Sequence, residues 1–160
     1  MEGYQLLPSG LDLKSPLWDF ALVVYAELSK PMLALQSRGA RVNQMLAAIW
    51  AAELGIRWPG SIPDEIEKWH QQILPIRTQR MALKPQLEEY PDLESLYTHF
   101  KGVELNMERV ELAMLYQWLK ACQTNPQADL LEPNLRAVLV GVGDYESELS
   151  EMLTLYKANF

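Results

Sequence analysis

The chain is poor in the residues that most often carry chemistry. Its 160 residues include one cysteine and two histidines. Cys122 alone cannot form an intramolecular disulfide. Its apolar helical surroundings predict an inert thiol, since Lys120 lies off the same helix face and a reactive thiolate needs a cationic neighbour. Two histidines leave little material for a Ser/His/Asp or Cys/His triad. No G-x-S-x-G, glycine-rich phosphate loop, H-E-x-x-H or Cys/His cluster occurs. No catalytic residue, metal or cofactor is assigned. The chain also lacks an alternating strand pattern, an internal repeat, and any run near the ~20 apolar residues of a membrane helix. A basic start followed by an apolar stretch is missing too, so no signal peptide is expected. A soluble cytoplasmic protein without a membrane span is the resulting expectation.

Basic charge is scarce in one half. Residues 1–87 carry nine basic and eight acidic side chains, whereas residues 88–160 carry five basic and thirteen acidic. The second part therefore carries the whole acidic excess behind the net charge of -7. An acidic chain repels phosphate backbones, and no dense basic strip overrides this, so no nucleic-acid partner is expected.

What is present reads as helix. Apolar residues make up 49 % of the chain, Gly is sparse at 8, and ten Pro are scattered, which suits helices with punctuated ends. A chain of this length is one domain able to bury about two-thirds of its extended surface. Residues 1–14 read as an extended arm and residues 15–160 as a single helical domain. Ser15 followed by Pro16 is a capped helix start, and Leu17, Phe20, Ala21, Val24 and Leu28 follow at helical spacing. Ser29 and Pro31 predict a second start, with a short helix over Met32 to Ser37 stopped by Gly39. A third helix runs from Arg41 to Leu54 with Gly55 as its stop. Pro133 and Asp144 are expected to start the last two helices.

The clearest periodicity lies in the middle. Ile62, Ile66, Trp69, Ile73, Ile76, Arg80, Leu83 and Leu87 alternate steps of four and three, a heptad seam with one charged intruder. Pro75 lies inside it and predicts a kink. A second seam, Leu93, Leu96, Phe100, Val103, Met107, Val110, Met114, Gln117 and Ala121, continues without proline over Asp92 to Cys122. Two seams joined by a short turn predict an antiparallel hairpin. The fold expected is therefore all-α: a single-domain bundle of about six helices with a long, proline-kinked antiparallel hairpin.

Three polar sets stand out. Gln36, Arg41 and Asn43 surround Gly39; Asn43 either caps the third helix or joins a polar pocket bordered by Trp18 and Trp50. Arg77, Arg80 and Lys84 line one side of the first long helix, and Glu104, Glu108 and Glu111 one side of the second. The hairpin brings Arg77 near Glu104, either as interhelical pairing worth ~0–1 kcal/mol per exposed pair or as part of an anion site with Arg80. Arg80 either stacks on Phe100 or His99 or reaches into a cavity near Pro75. Glu67 and His70 form an E-x-x-H that lacks the companions of a dimetal site and reads as a surface pair.

The run L-W-D-F-A-L-x-x-Y, then L-A-L-Q-S-R-G-A-R-V-N-Q-M-L-x-x-x-W, resembles a proteobacterial family of small helical proteins of unknown function. The matching residues are Leu17, Trp18, Phe20, Leu22, Tyr25, Leu35, Gln36, Gly39, Val42, Asn43, Leu46 and Trp50. Trp69, Pro75, Arg77, Arg80, Leu83 and Lys84 resemble the family's later W-x-x-x-x-x-P-x-R-x-x-R-x-x-L-K pattern. The resemblance spans Ser15 to Met114, with a shortened, altered stretch at Ala26 to Pro31. It implies a shared fold and no reaction.

The leading functional expectation is a non-enzymatic interaction or adaptor module, with a basic partner meeting Glu104, Glu108 and Glu111. The alternative is a binder of a small apolar or anionic ligand in a Trp-lined pocket, with Arg80 holding an anionic head group. Enzymatic activity stands third. The remaining seam and the alanine stripes of the third helix are compatible with a homodimer.

Overall fold

The computed structural model describes residues 5–160. Among the described residues there are six α-helices and no strand: α1 Pro16–Gln36, α2 Val42–Glu53, α3 Asp64–Leu83, α4 Glu94–Leu119, α5 Leu131–Val138 and α6 Glu146–Asn159. Two short 3₁₀ turns, Lys84–Leu87 and Pro91–Leu93, connect α3 to α4. None of these helices is long and apolar enough to cross a membrane. Residues 1–4 of the expected arm lie outside the described residues. Residues 5–15 hold no helix and are tied to the bundle at three points. Gln5 Nε2 donates to the Glu65 carbonyl at 2.6 Å, Gln117 Nε2 to Ser9 at 3.1 Å, and Arg109 Nε to Leu13 at 2.6 Å.

Helix α1 begins as its sequence predicts, with Ser15 Oγ accepting from the Trp18 amide at 3.1 Å and Pro16 in the first turn. The expected break near Pro31 does not occur: one helix runs to Gln36. Proline in a helix interior costs about 3 kcal/mol. Leu28, Met32 and Leu35 are completely buried on one line, each contributing about 1.5–3 kcal/mol, so packing outweighs the break. The carbonyl freed at Glu27 sits on an exposed residue where water can satisfy it. Pro75 is handled the same way. It is exposed, the carbonyl it frees belongs to exposed Gln71, and α3 continues to Leu83.

Helix α2 is the centre of the molecule. Every residue from Met45 to Ala51 is buried, and the small alanines let α1, α4 and α5 approach. Gly55 ends the α2 turn with φ +72°; a Cβ there would meet the Asn125 carbonyl oxygen at 2.2 Å, so only glycine fits. Asn134 of α5 closes this region by donating to the carbonyls of Ala48 and Ile56 while accepting from the Trp58 amide at 2.8 Å. Helix α6 packs on α1 and is held by an Arg38–Glu148 pair. Asp144 does not cap α6: it adopts φ +49°, its carbonyl accepts from Arg38, and Tyr145 precedes the helix without a side-chain cap.

The α3–α4 hairpin is antiparallel: His70 meets Glu111, Arg77 meets Glu104 and Glu108, and Arg80 meets Glu104. The buried line on α4 is shifted by one residue from the expected apolar seam over its first half. Leu96 and Val103 are nearly half-exposed, while Tyr97, Glu104 and Glu111 are buried. They step by seven; Glu104 faces Arg77 and Arg80 of α3, and Glu111 faces His70. Cation pairing turns this row inward where apolar spacing alone points to the neighbouring row.

Candidate functional site

Helix α1 carries two adjacent faces. Leu17, Ala21, Val24, Leu28, Met32 and Leu35 enter the core. Trp18, Leu22, Tyr25, Leu33 and Gln36 form the row beside them and border a cavity of about 710 Å³ between α1 and the hairpin. Val42, Asn43 and Leu46 of α2 contribute to its walls, as do His70, Arg77 and Arg80 of α3. Helix α4 supplies Tyr97, Lys101, Glu104, Leu105, Glu108 and Glu111. Of the four residues Trp18, Asn43, Trp50 and Arg80, three therefore border one cavity. Trp50 does not; it is buried against the Tyr116 ring, with centroids 5.5 Å apart.

The charged residues form a continuous network. Glu104 accepts from Arg77 Nε at 3.0 Å and from Arg80 Nε at 2.5 Å. Burial opposes its ionisation, yet the Arg80 and Arg77 guanidiniums outweigh burial and hold its carboxyl below the usual range. Glu108 meets Arg77 Nη2 at 3.2 Å and also lies against the Glu104 carboxyl, to which its protonated form donates. Burial and the neighbouring Glu104 charge push Glu108 up to about 7, against the pull of Arg77. Tyr25, facing it from α1, is also raised, by burial first and by Glu108 second. Deeper in, Asn43 Nδ2 donates to Glu111 Oε1 at 2.9 Å and to the Glu108 carbonyl at 3.0 Å. His70 Nδ1 lies 2.8 Å from Glu111 Oε2, and both residues are buried.

Several expected roles change with this geometry. Asn43 does not cap α2; Arg41 occupies that position without a side-chain cap bond, and Asn43 instead bridges α2 to α4. Glu67 and His70 are not a surface pair. Glu67 takes both terminal nitrogens of Arg41 and accepts from Gln71, and this pairing lowers its carboxyl to about 2 against a smaller burial effect. Arg41 is raised by the same contact and is not among the residues bordering the cavity. Lys84 is exposed in the 3₁₀ turn. Arg80 stacks on neither Phe100 nor His99, because Glu104 holds it; His99 Nδ1 approaches the Ser95 carbonyl instead. Glu104, Glu108 and Glu111 do not make an outward acidic face: Glu104 and Glu111 are 7 % and 3 % exposed.

Tyr97, Leu105 and Lys101 border the cavity without having stood out as site residues in the sequence. Tyr97 was recoverable, being seven residues before Glu104 as Glu104 is before Glu111. Lys101 sits 5.5 Å over the Tyr97 ring, a contact that needs the helix orientation to be known.

Eleven residues of the two sequence patterns border this one cavity: Trp18, Ala21, Leu22, Tyr25, Leu33, Gln36, Val42, Asn43, Leu46, Arg77 and Arg80. No curated protein and no solved structure matches the chain. The family described as "Protein of unknown function (DUF2390)" matches residues 16–115, the stretch that builds α1, α2, α3 and most of α4 and so supplies every wall of the cavity, and the chain belongs to that family.

Proposed function

We propose that this protein binds a small, largely apolar molecule in the cleft between α1 and the α3–α4 hairpin. The cavity itself carries the reading. It has the volume of a small-molecule site, and apolar side chains such as Leu22, Leu33, Leu46 and Leu105 surround a few fixed polar groups on its floor. Those groups are held by one another, so the floor is preorganised. Native mass spectrometry of gently purified protein, followed by a thermal-shift screen of small apolar compounds, tests this. A retained ligand, or a melting temperature that rises with compound concentration, is the expected result. Leu22→Arg places a charge at the mouth and abolishes the shift. It leaves the unliganded protein's melting temperature nearly unchanged, because Leu22 is 54 % exposed.

Protein–protein interaction is favoured by a different observation. Leu22, Val23, Leu33 and Leu105 are roughly half-exposed around and beside the cleft mouth, where a partner helix or a second copy could cover them. Light scattering across a hundredfold concentration range tests the second copy. A mass that stays monomeric throughout removes the homodimer and leaves a different protein as the partner.

A further inference from the structure

The acids around the cavity are unequally satisfied. Glu104 is held by two arginines, and Glu111 by Asn43 and His70. Glu108, on the same helix between them, has one cationic partner, Arg77 at 3.2 Å, and its other side-chain neighbour is the like-charged Glu104 carboxyl. Its side chain keeps 29 % of its exposure and borders the cavity. The wall charges are also unbalanced. Glu94, Glu104, Glu108 and Glu111 oppose Arg77, Arg80 and Lys101, leaving one carboxylate in excess of the Arg and Lys side chains when all four acids are ionised. An anionic head group seated on Arg80, as expected from sequence, would have to displace Glu104 and enter beside an excess of carboxylates, which opposes it.

We propose that the cavity takes a protonated amine with an apolar body, its ammonium seated on Glu108 and its body against Trp18, Tyr25 and Leu22. This rests on the ligand-binding reading above and supplies its substrate class. The ammonium adds a second cationic partner to Glu108 beside the single contact to Arg77, and a charge-assisted hydrogen bond in a partly desolvated cleft is the strong kind. Tyr25 and Trp18 add ring faces and edges for the alkyl or aryl body.

Glu108 already acts as a receiver of positive charge. Burial and Glu104 raise it to about 7, so near neutrality the site takes up a proton. The amine competes with that proton and keeps Glu108 ionised. The groups around Glu108 are Tyr25 from α1, Arg77 from α3 and Glu104 on α4, with Asn43 of α2 bonded to its backbone carbonyl; Arg80 is engaged by Glu104, and His70 and Glu111 border the same cavity, paired with each other. Tyr25 is raised from an already high value and stays neutral from pH 6 to 8, and the arginines stay charged throughout. Amine affinity therefore falls as pH drops through 7, by about tenfold between pH 8 and pH 6.

Isothermal titration with phenethylamine, its isosteric alcohol and its isosteric carboxylic acid, at pH 8 and pH 6, tests the proposal. The expected result is binding of the amine at least tenfold tighter than the other two at pH 8, and about tenfold weaker at pH 6. In Glu108→Gln, an isosteric change at a partly exposed position, the preference over the alcohol and the pH dependence both vanish while the alcohol still binds. The wild-type comparison needs no variant and stands even if Glu108→Gln fails to fold. The proposal is overturned, with the binding reading intact, if the carboxylic acid binds best, if all three bind equally, or if the pH dependence survives Glu108→Gln. Absence of binding by all three, together with an empty native spectrum and no response in the wider screen, removes the binding reading itself.

Discussion

The two halves of α4 are built from the same kind of sequence and do different things. From Glu111 to Leu115 every residue is buried, and Leu115 and Leu119 are completely enclosed by the core around α2. From Glu94 to Glu108 only Tyr97 and Glu104 are buried, and the contacts to α3 include the ion pairs of Arg77 and Arg80 with Glu104 and Glu108 and the Trp69 indole donating to the Met107 carbonyl at 2.8 Å. The first region rests on apolar burial, which accumulates at roughly 25 cal/mol per Å². The second rests on ion pairs whose attraction is largely offset by desolvation. A charged seam is a poor way to gain stability. It does hold polar groups at fixed positions around a cavity, so the contrast teaches that the distal hairpin is specialised for its cleft while the α2 end supplies the folding energy.

The largest effect expected from this contrast is in the apolar half. Leu115→Ala should destabilise the fold by about 4 kcal/mol, in the upper part of the range for enclosed leucines. Urea denaturation measures it. Leu105→Ala, on the exposed side of the other half, should change stability by less than about 0.5 kcal/mol. Equal losses at the two positions would break the comparison.

Glu104→Gln comes next. It leaves two guanidiniums facing a neutral amide in a partly dry seam. Breaking a fully buried pair costs about 3–5 kcal/mol; Arg77 and Arg80 retain 15 % and 22 % side-chain exposure, so about 2 kcal/mol is expected. Adding Arg80→Met should restore part of the loss, since the uncompensated cation goes with it. A double-mutant cycle should return a coupling of about 1–3 kcal/mol. Strict additivity would mean that the seam is not a network and that the two halves differ only in exposure.

Much of this division was legible in the sequence, and the part that was not has a physical cause. Ser15 and Pro16 announce α1, the seam spacings announce the hairpin, and antiparallel order alone brings Arg77 to Glu104. Pro31 misled because a local helix breaker was outweighed by Leu28, Met32 and Leu35, whose burial depends on α2 and α6. The orientation of α4 misled because a seam of apolar residues and a seam of acids lie one residue apart. The choice between them was made by cations twenty to forty residues upstream. The cavity was legible only as pieces: Trp18, Asn43 and Arg80 were visible as odd residues, and nothing local states that they share one space while Trp50 does not.

The pH profile separates the halves without altering the core. Glu108 is raised to about 7 in the folded protein, so between about 4.5 and 7 the folded state binds the additional proton and stability declines as pH rises through that window. Glu104 and Glu67 are lowered, so their contribution is complete above their unfolded values and is lost as pH falls below them, toward about 2 for Glu67. Stability should therefore peak near pH 5. Glu108→Gln should flatten the decline toward pH 7, a change of about 1–2 kcal/mol after allowing for the exposure that remains. A decline that persists in the variant would place the proton elsewhere.

The smallest effects sharpen the comparison most finely, because they place one residue type in each region. Both Pro31 and Pro75 lie inside a continuous helix and cost one backbone hydrogen bond, yet Pro31 is buried in the packed region and Pro75 is exposed on the hairpin. Pro75→Ala restores the donor to the Gln71 carbonyl and removes no packing, so it should stabilise by about 1 kcal/mol; the full ~3 kcal/mol of a strained interior proline is not recovered, because the helix already accommodates the ring. Pro31→Ala restores a donor as well, but it vacates ring volume beside Leu28 and Leu35, and a buried methylene lost is worth roughly 0.8 kcal/mol. The two terms nearly cancel, and a change within about 0.5 kcal/mol of zero is expected. Thermal melts of the two variants side by side decide it. A gain at Pro31 equal to that at Pro75 would show that the α1 core is no better packed than the hairpin surface.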